Sequence, residues 1–275
     1  MSLITNLAAY YKLDESSGNA SDASGNSHTL TNTNTVGYAA ALINNGADFG
    51  TANTNKRLEA GTNLGWDGIS PVSFNTWIKV RTAPGSGSLA IFLSLINQLN
   101  RSMSHTIQYR FTTGSLAFNI TRSDGSTQDL GVYNTTLSTS AFTMLTYTYD
   151  GTAGGGHMIG YLNGSQVISV TATITNGTNA GSGAVGTSAI ALGDTQGGSP
   201  YPASIYQDET GVWNRVLTPT EITSLYNSGA GLAYPFLLTT FQPETGVSNI
   251  VAAAHNLAYS LNHLRPALFK PGRAR

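Results

Sequence analysis

The nine residues VSFNTWIKV, Val72 to Val80, alternate. Val72, Phe74, Thr76, Ile78 and Val80 fall on one side, and Ser73, Asn75, Trp77 and Lys79 on the other. A period of two is the side-chain repeat of a β-strand, because successive Cβ atoms point to opposite faces. The same period runs through later stretches. HTIQYRF sets Ile107, Tyr109 and Phe111 against Thr106, Gln108 and Arg110, and SLAFNITR puts Leu116, Phe118 and Ile120 on one face. The breaks carry turn chemistry: Asp124-Gly125 and Asn163-Gly164 suit the positive φ angles of tight antiparallel hairpins. Short strands with a turn about every ten residues predict an all-β fold, a two-sheet antiparallel jelly-roll sandwich.

Composition agrees with that reading and narrows the function. Of 275 residues 31 are Gly, 40% are apolar and only 10% are charged, where about a quarter charged is usual. A formal net charge of −1 gives no general attraction to nucleic acid or to an anionic membrane. There is no cysteine, which excludes disulfides and thiolate chemistry. No apolar run is long enough to span a bilayer, so membrane insertion is not expected. The start, MSLITNLAAYYKLDE, has neither a basic head nor a signal-length apolar core. The expectation is therefore synthesis in a cytoplasm without a cleaved export signal.

Two stretches break the strand pattern. TPTEITSLYNSG reads as a short helix: Thr218 caps it, Pro219 opens it, Glu221 completes a capping box and Gly229 suits the stop. Ile222, Leu225 and Tyr226 form its apolar face. Beyond residue 235 the style changes again. Val247, Ile250, Ala254, Leu257, Leu261 and Leu264 step by the three-and-four spacing of a helix seam, and Pro266 ends it. Arg265, Lys270, Arg273 and Arg275 make the end basic. This predicts a jelly-roll domain over residues 1–235 and a C-terminal arm over 236–275, with an amphipathic helix at about 247–264. The helix either docks on its own sandwich or is an assembly seam, to a second copy or to another protein. The basic end suits an acidic partner surface better than nucleic acid.

The order of motifs resembles a known family. LAAYYKLDESSGNASDASGNSHTLT (Leu7 to Thr31), ADFG (Ala47 to Gly50), VSFNTWIKV, LTYTYDGTAGGGHMIGYLNGSQV and YQDETGVWNRVLTPTEITSLYNSG are similar to the motifs of laminin-G-like, concanavalin A-like lectin/glucanase domains. They cover residues 7 to 229 in the family's order. FTML, Phe142 to Leu145, and ASIYQ before the Asp-Glu pair depart from its pattern, which marks a distant member. The resemblance implies that the first and last strands pair, bringing Asp22 near Asp208. In related domains this corner often holds calcium. Asp22, Asn26 and Asp208 are the candidate ligands of a structural calcium ion, which takes six to eight oxygens. The alternative is an Asp that caps backbone amides in an Asx-type turn.

Glucanases on this fold need two carboxylates about 5–10 Å apart, and no strand carries two acids two or four residues apart. Asp208 and Glu209 are adjacent, so a regular strand would send them to opposite faces. His105, Tyr109 and Arg110 resemble a lyase set, but Arg110 faces away from Tyr109. The sequence predicts no catalytic residue. Sugar sites on lectin-like sandwiches stack loop aromatics on pyranose rings, and Trp66, Asp67, Tyr133 and Tyr201 are the candidates. The expectation is a non-catalytic structural and adhesive module displayed on a bacteriophage virion, as a capsid decoration or tail-associated protein, contacting other virion proteins or itself through the arm and cell-surface polysaccharide through the sandwich. The alternatives are a free lectin-like protein, extracellular or at the cell surface by non-standard export, and, behind it, a glycan hydrolase or lyase.

Overall fold

The computed structural model describes residues 2–51, 55–60, 64, 66, 70–81, 89–97, 103–122, 128–151, 157–171, 188–194 and 203–236. In chain order the strands are β1 (Leu7–Tyr11), β2 (Thr31–Thr33), β3 (Gly37–Ala40), β4 (Asn45–Asp48) and β5 (Arg57–Ala60). Next come β6 (Val72–Val80), β7 (Leu89–Asn97), β8 (Met103–Arg110), β9 (Ser115–Arg122) and β10 (Gln128–Asn134). β11 (Thr143–Tyr149), β12 (His157–Leu162), β13 (Ser165–Thr171), β14 (Ser188–Leu192) and β15 (Ile205–Trp213) precede helix α1 (Pro219–Tyr226). One antiparallel sheet runs β13–β12–β11–β6–β15–β4–β3, with β1 added to β15. The other runs β10–β9–β8–β7–β14–β5–β2. The jelly-roll sandwich read from the alternation is the observed fold, and its first and last strands pair, Tyr10 opposite Gly211 and Tyr11 opposite Thr210.

The inward faces interdigitate as the period of two requires. Phe74 stacks on Tyr147 at 5.2 Å between ring centroids, and Phe118 of the facing sheet lies so close to Gly160 that a Cβ there would sit 2.5 Å from its ring. Only a residue without a side chain lets the two sheets approach at that point. The hairpin expected at Asn163-Gly164 joins β12 to β13, with φ of 50° and 79°. Asp124-Gly125 lies outside the described residues.

The second face of β6 is not a solvent face. Ser73, Asn75 and Trp77 are buried, because α1 and its flanking segments cover that side of the sheet. Ile222, Leu225, Leu217 and Leu232 pack there with Trp77, Met144 and Trp213 in a second apolar cluster. The Tyr226 ring stacks on Trp77 at 5.8 Å. The helix itself forms as its sequence dictates: the Thr218 hydroxyl accepts from the Glu221 amide, and the Glu221 carboxylate accepts from the Thr218 amide. Its stop falls at Asn227, φ 46°, two residues before Gly229. Asn tolerates the left-handed region because its short amide bonds locally, here donating to the Gly231 carbonyl at 2.7 Å. Tyr234 and Phe236 carry the packing past residue 235, against Tyr10. The chain divides into two units, Met1–Leu237 and Leu238–Arg275. The second holds the seam residues Val247, Ile250, Ala254, Leu257, Leu261 and Leu264 and the basic Arg265, Lys270, Arg273 and Arg275, and lies outside the described residues. Among the described residues no helix is long and apolar enough to cross a membrane.

Candidate binding site

The turn SDASGNSH, residues 21–28, is held by Asp22. Its Oδ1 accepts the amides of Tyr10 (3.0 Å) and Ser24 (2.9 Å), and its Oδ2 accepts that of His28 (3.0 Å). One carboxylate therefore ties the turn to itself and to β1, the Asx-type arrangement that competes with metal binding for the same oxygens. Asn26 adds a second tie, donating through Nδ2 to the carbonyls of Leu7 (2.9 Å) and Ala8 (3.0 Å). Asp208 is fully buried on β15, with Oδ2 on the Ile43 amide and Oδ1 on the Glu209 amide, both at 2.9 Å. Asp22 and Asp208 thus spend their oxygens on separate sets of amides. Among the described residues no three His, Asp or Glu side chains gather as a metal-ligand group.

Glu209 is the residue that sequence reasoning missed. Between Asp208 and Gly211 the β15–β6 register slips by one residue, and Glu209 takes φ 44° in that bulge. A left-handed non-glycine residue costs about 1–3 kcal/mol. The bulge also turns Glu209 out of the simple alternation, so that it stays buried beside Asp208. Its Oε2 accepts from the Tyr10 hydroxyl at 2.5 Å, while Oε1 is buried with no hydrogen-bond partner. Burial pushes its pKa up to about 7, against the Tyr10 bond, which opposes the rise. Burial likewise raises Asp208 to about 8. An Asp-Glu pair inside a strand was the only local signal available in the sequence.

The aromatic candidates fare differently. Trp66 is 1% exposed in the main core, and its Nε1–H donates to the Ser70 carbonyl at 2.9 Å. It fills the sandwich and has no ring face for a sugar. Tyr133, on the edge strand β10, is half-buried and packs against the core. Asp67 and Tyr201 lie outside the described residues. His105 is wholly buried, with Nδ1 against the Tyr147 hydroxyl at 2.5 Å and Trp66 and Phe74 around it. Burial lowers its pKa to about 3, so it is a neutral residue of the core.

An open cleft of about 570 Å³ lies where β1 begins. Its polar lining is Asn6, Asn26, His28 and Asn214, and its apolar lining is Leu7, Ala8 and Leu64. Asn214 directly follows β15; its Nδ2 donates to the Leu64 carbonyl at 2.9 Å and its backbone amide to the Asn6 carbonyl at 2.9 Å. The cleft was not foreseen. Its parts come from four places in the chain and meet only because the first and last strands pair.

The fold and this geometry can be set beside known proteins. A sequence profile described as the Concanavalin A-like lectin/glucanases superfamily matches residues 49–223. The chain belongs to that superfamily. The concanavalin A-like domain extends past the matched residues at both ends, since β1, β3 and β4 add to one sheet, β2 adds to the other, and α1 ends at Tyr226. No curated protein matches the chain by sequence. Among solved structures it is similar to the binding domain of botulinum neurotoxin DC in complex with rat synaptotagmin II, with a TM-score of 0.63, 13% identity, and coverage of 82% of this chain and 52% of that one. The same toxin's binding domain in complex with SialylT gives 0.61, 12%, and the same coverages of 82% and 52%. The botulinum neurotoxin type G receptor binding domain gives 0.56, 13%, 82% and 51%. At these identities the likeness is one of fold. The chain spans about half the length of these structures.

Proposed function

We propose that this concanavalin A-like domain is a non-catalytic carbohydrate- or receptor-binding module, displayed on a larger assembly by its C-terminal arm, as a capsid decoration or tail-associated protein of a bacteriophage virion. The observation that carries the non-catalytic reading is what the carboxylates do. Asp22 holds backbone amides, Asp48 pairs with Arg81, Glu59 with Arg57, Asp150 with His157 and Glu221 with Arg215. Asp208 and Glu209 are adjacent and buried. Glycoside cleavage asks for two acids flanking an open groove, and these serve the fold instead. Binding is supported by the superfamily and by the structural neighbours, whose names describe binding domains, one with synaptotagmin and one with SialylT. Fold alone does not assign a ligand. Display is supported by the sequence of residues 247–275, a heptad seam followed by a basic end.

The test is a glycan array probed with the full chain, run beside an assay for release of reducing or unsaturated sugar ends. Retention on some glycans with no product is the expected result; turnover overturns the non-catalytic reading, and no retention on any glycan or receptor protein overturns binding. Display on virions is checked by mass spectrometry of purified phage particles from the source, in which peptides of this chain are expected and their absence sinks it.

A further inference from the structure

Two residues beyond Trp77, on the same face of β6, Lys79 is half-buried between two rings. Its Nζ lies 4.9 Å from the centroid of Phe142 and 4.7 Å from that of Tyr206, its cross-strand neighbour on β15. The Arg81 guanidinium lies over the same Tyr206 ring at 5.6 Å. Asp48 stands opposite Tyr206 on β4. Its Oδ1 accepts from Arg81 Nη1 at 2.6 Å and from the Gly50 amide at 2.8 Å. Two cations therefore share one ring, and one carboxylate answers one of them.

Like charges over one ring repel, and an aromatic face attracts an ammonium without neutralising it. Asp48 is spent on Arg81, and among the described residues no carboxylate lies within ion-pair distance of Lys79. Residues 82–88 and 195–202, the stretches that follow Arg81 and precede β15, contain no Asp or Glu. The patch has room for one more negative charge. It is also ordered in advance: the rings fix the lysine stem and Asp48 fixes the guanidinium, so a partner meets groups that cost it little to organise. Arg81 has further N–H donors on a side chain that is 35% exposed. The ring faces narrow the ligand. A sugar stacks on a bare aromatic face, but Lys79 lies over both rings and Arg81 over one. A carboxylate on a side chain needs only the two charges and their donors.

We infer that this patch docks an acidic peptide segment of a partner protein, with a Glu or Asp carboxylate of the partner bridging Lys79 and Arg81. This rests on the reading of the chain as a binding module and names one partner chemistry and its place on the sandwich. The experiment is fluorescence anisotropy of the full chain with a short labelled peptide of alternating Glu and Ala, beside a counterpart in which Gln replaces each Glu. The same titrations are run on Lys79→Met, which keeps the stem between the rings and removes the charge, on Lys79→Arg, which restores it, and on Arg110→Met, which removes an exposed cation from the other sheet. The expected result is binding of the Glu peptide alone, weakening as added salt screens it. Lys79→Met weakens it about tenfold, the worth of one charge-assisted hydrogen bond; Lys79→Arg recovers most of the loss, and Arg110→Met changes nothing. Unchanged melting curves for the variants keep a loss of binding from being a loss of fold. Equal weakening by Lys79→Met and Arg110→Met reduces the effect to overall charge and overturns the site. Equal binding of the Glu and Gln peptides overturns recognition by charge. A sialylated oligosaccharide that binds through Lys79 where the Glu peptide does not overturns the ligand class. No binding of the Glu peptide overturns the docking site and, where the glycan array still retains the chain, leaves the binding module standing; with no retention on any glycan or receptor protein, both fall.

Discussion

At the scale of single residues the unusual feature is a pair of acids that hold their protons. Asp208 and Glu209 are buried side by side, with Asp14 adding negative potential to both and Lys12 offsetting it at Glu209. In the unfolded chain they titrate near 3.8 and 4.5; burial moves them to about 8 and about 7. Between those limits the native state binds protons that the unfolded state has released, so stability from this pair is full below about pH 4 and is lost as pH rises through 7 to 8. Glu221 runs the other way. Burial would raise it, but hydrogen bonds from Arg215 and Thr218 win and lower it to about 2. Its contribution is present above pH 4.5 and lost as pH falls toward 2. The melting temperature is therefore expected to peak near pH 5 and to fall by several degrees toward pH 8.5, measured by calorimetry across that range. Glu209→Gln keeps an acceptor for the Tyr10 hydroxyl and removes one proton-linked group, so it flattens the alkaline limb and leaves the acid limb alone. A natural chain whose melting point is level from pH 5 to 8.5 would mean that the pair is ionised in the native state. None of this was legible in the sequence. Adjacent acids on a regular strand face opposite ways, and only the one-residue bulge, held where β1, β6 and β15 meet, buries Glu209.

At the scale of elements the sequence was most legible where local chemistry decides the outcome. The capping box Thr218–Glu221, the Pro219 start and the Asn163-Gly164 hairpin all form as written, because each depends on residues within a few positions of itself. The central strand β6 was legible in its period but not in its cover: no local signal says that a helix will bury Trp77. Arg215 makes that helix more than a capped segment. Its Nη1 and Nη2 donate to the two oxygens of Glu221 at 2.8 and 2.7 Å, and its Nε donates to the Thr5 carbonyl at 2.8 Å, which pins α1 to the N-terminal segment before β1. Thr218→Ala removes one cap bond and is expected to cost about 1 kcal/mol in urea unfolding. Arg215→Ala leaves the buried Glu221 carboxylate with only its Thr218 partners, and is expected to cost about 3 kcal/mol. Arg215→Lys should recover little of that, since an ammonium lacks the bidentate fork. Equal losses from Thr218→Ala and Arg215→Ala would show that the ion pair adds nothing beyond the cap. The glycan candidates illustrate the opposite limit. Trp66 looked available because loops carry function, yet the interior between the sheets claims large rings first, and a single sequence does not show on which side of a loop an aromatic ends.

At the scale of the whole molecule, the question is what residues 238–275 do for a sandwich whose described packing runs through Tyr234 to Phe236. A heptad seam of Val247, Ile250, Ala254, Leu257, Leu261 and Leu264 gains stability only when that stripe is covered, and less than three heptads is too short to be stable as an isolated helix in water. If the cover is a second copy, the full chain is a multimer in solution and the chain ending at Phe236 is a monomer, because the unit Met1–Leu237 holds both apolar clusters of the sandwich. Cutting after Phe236 and not after Pro235 matters. Phe236 packs edge-on against Tyr10 at 5.0 Å and tilts against Trp213 at 6.2 Å, so the shorter cut would lower the melting point for a reason unrelated to assembly. Light scattering on the two forms, with melting curves for each, is expected to give a mass that drops to one chain on truncation while the melting point of the sandwich changes little. A multimer of unchanged size after truncation would place the self-association in the sandwich. A full-length monomer that melts well above the truncated form would make the seam a strut of its own domain, and display on a larger particle would lose its attachment.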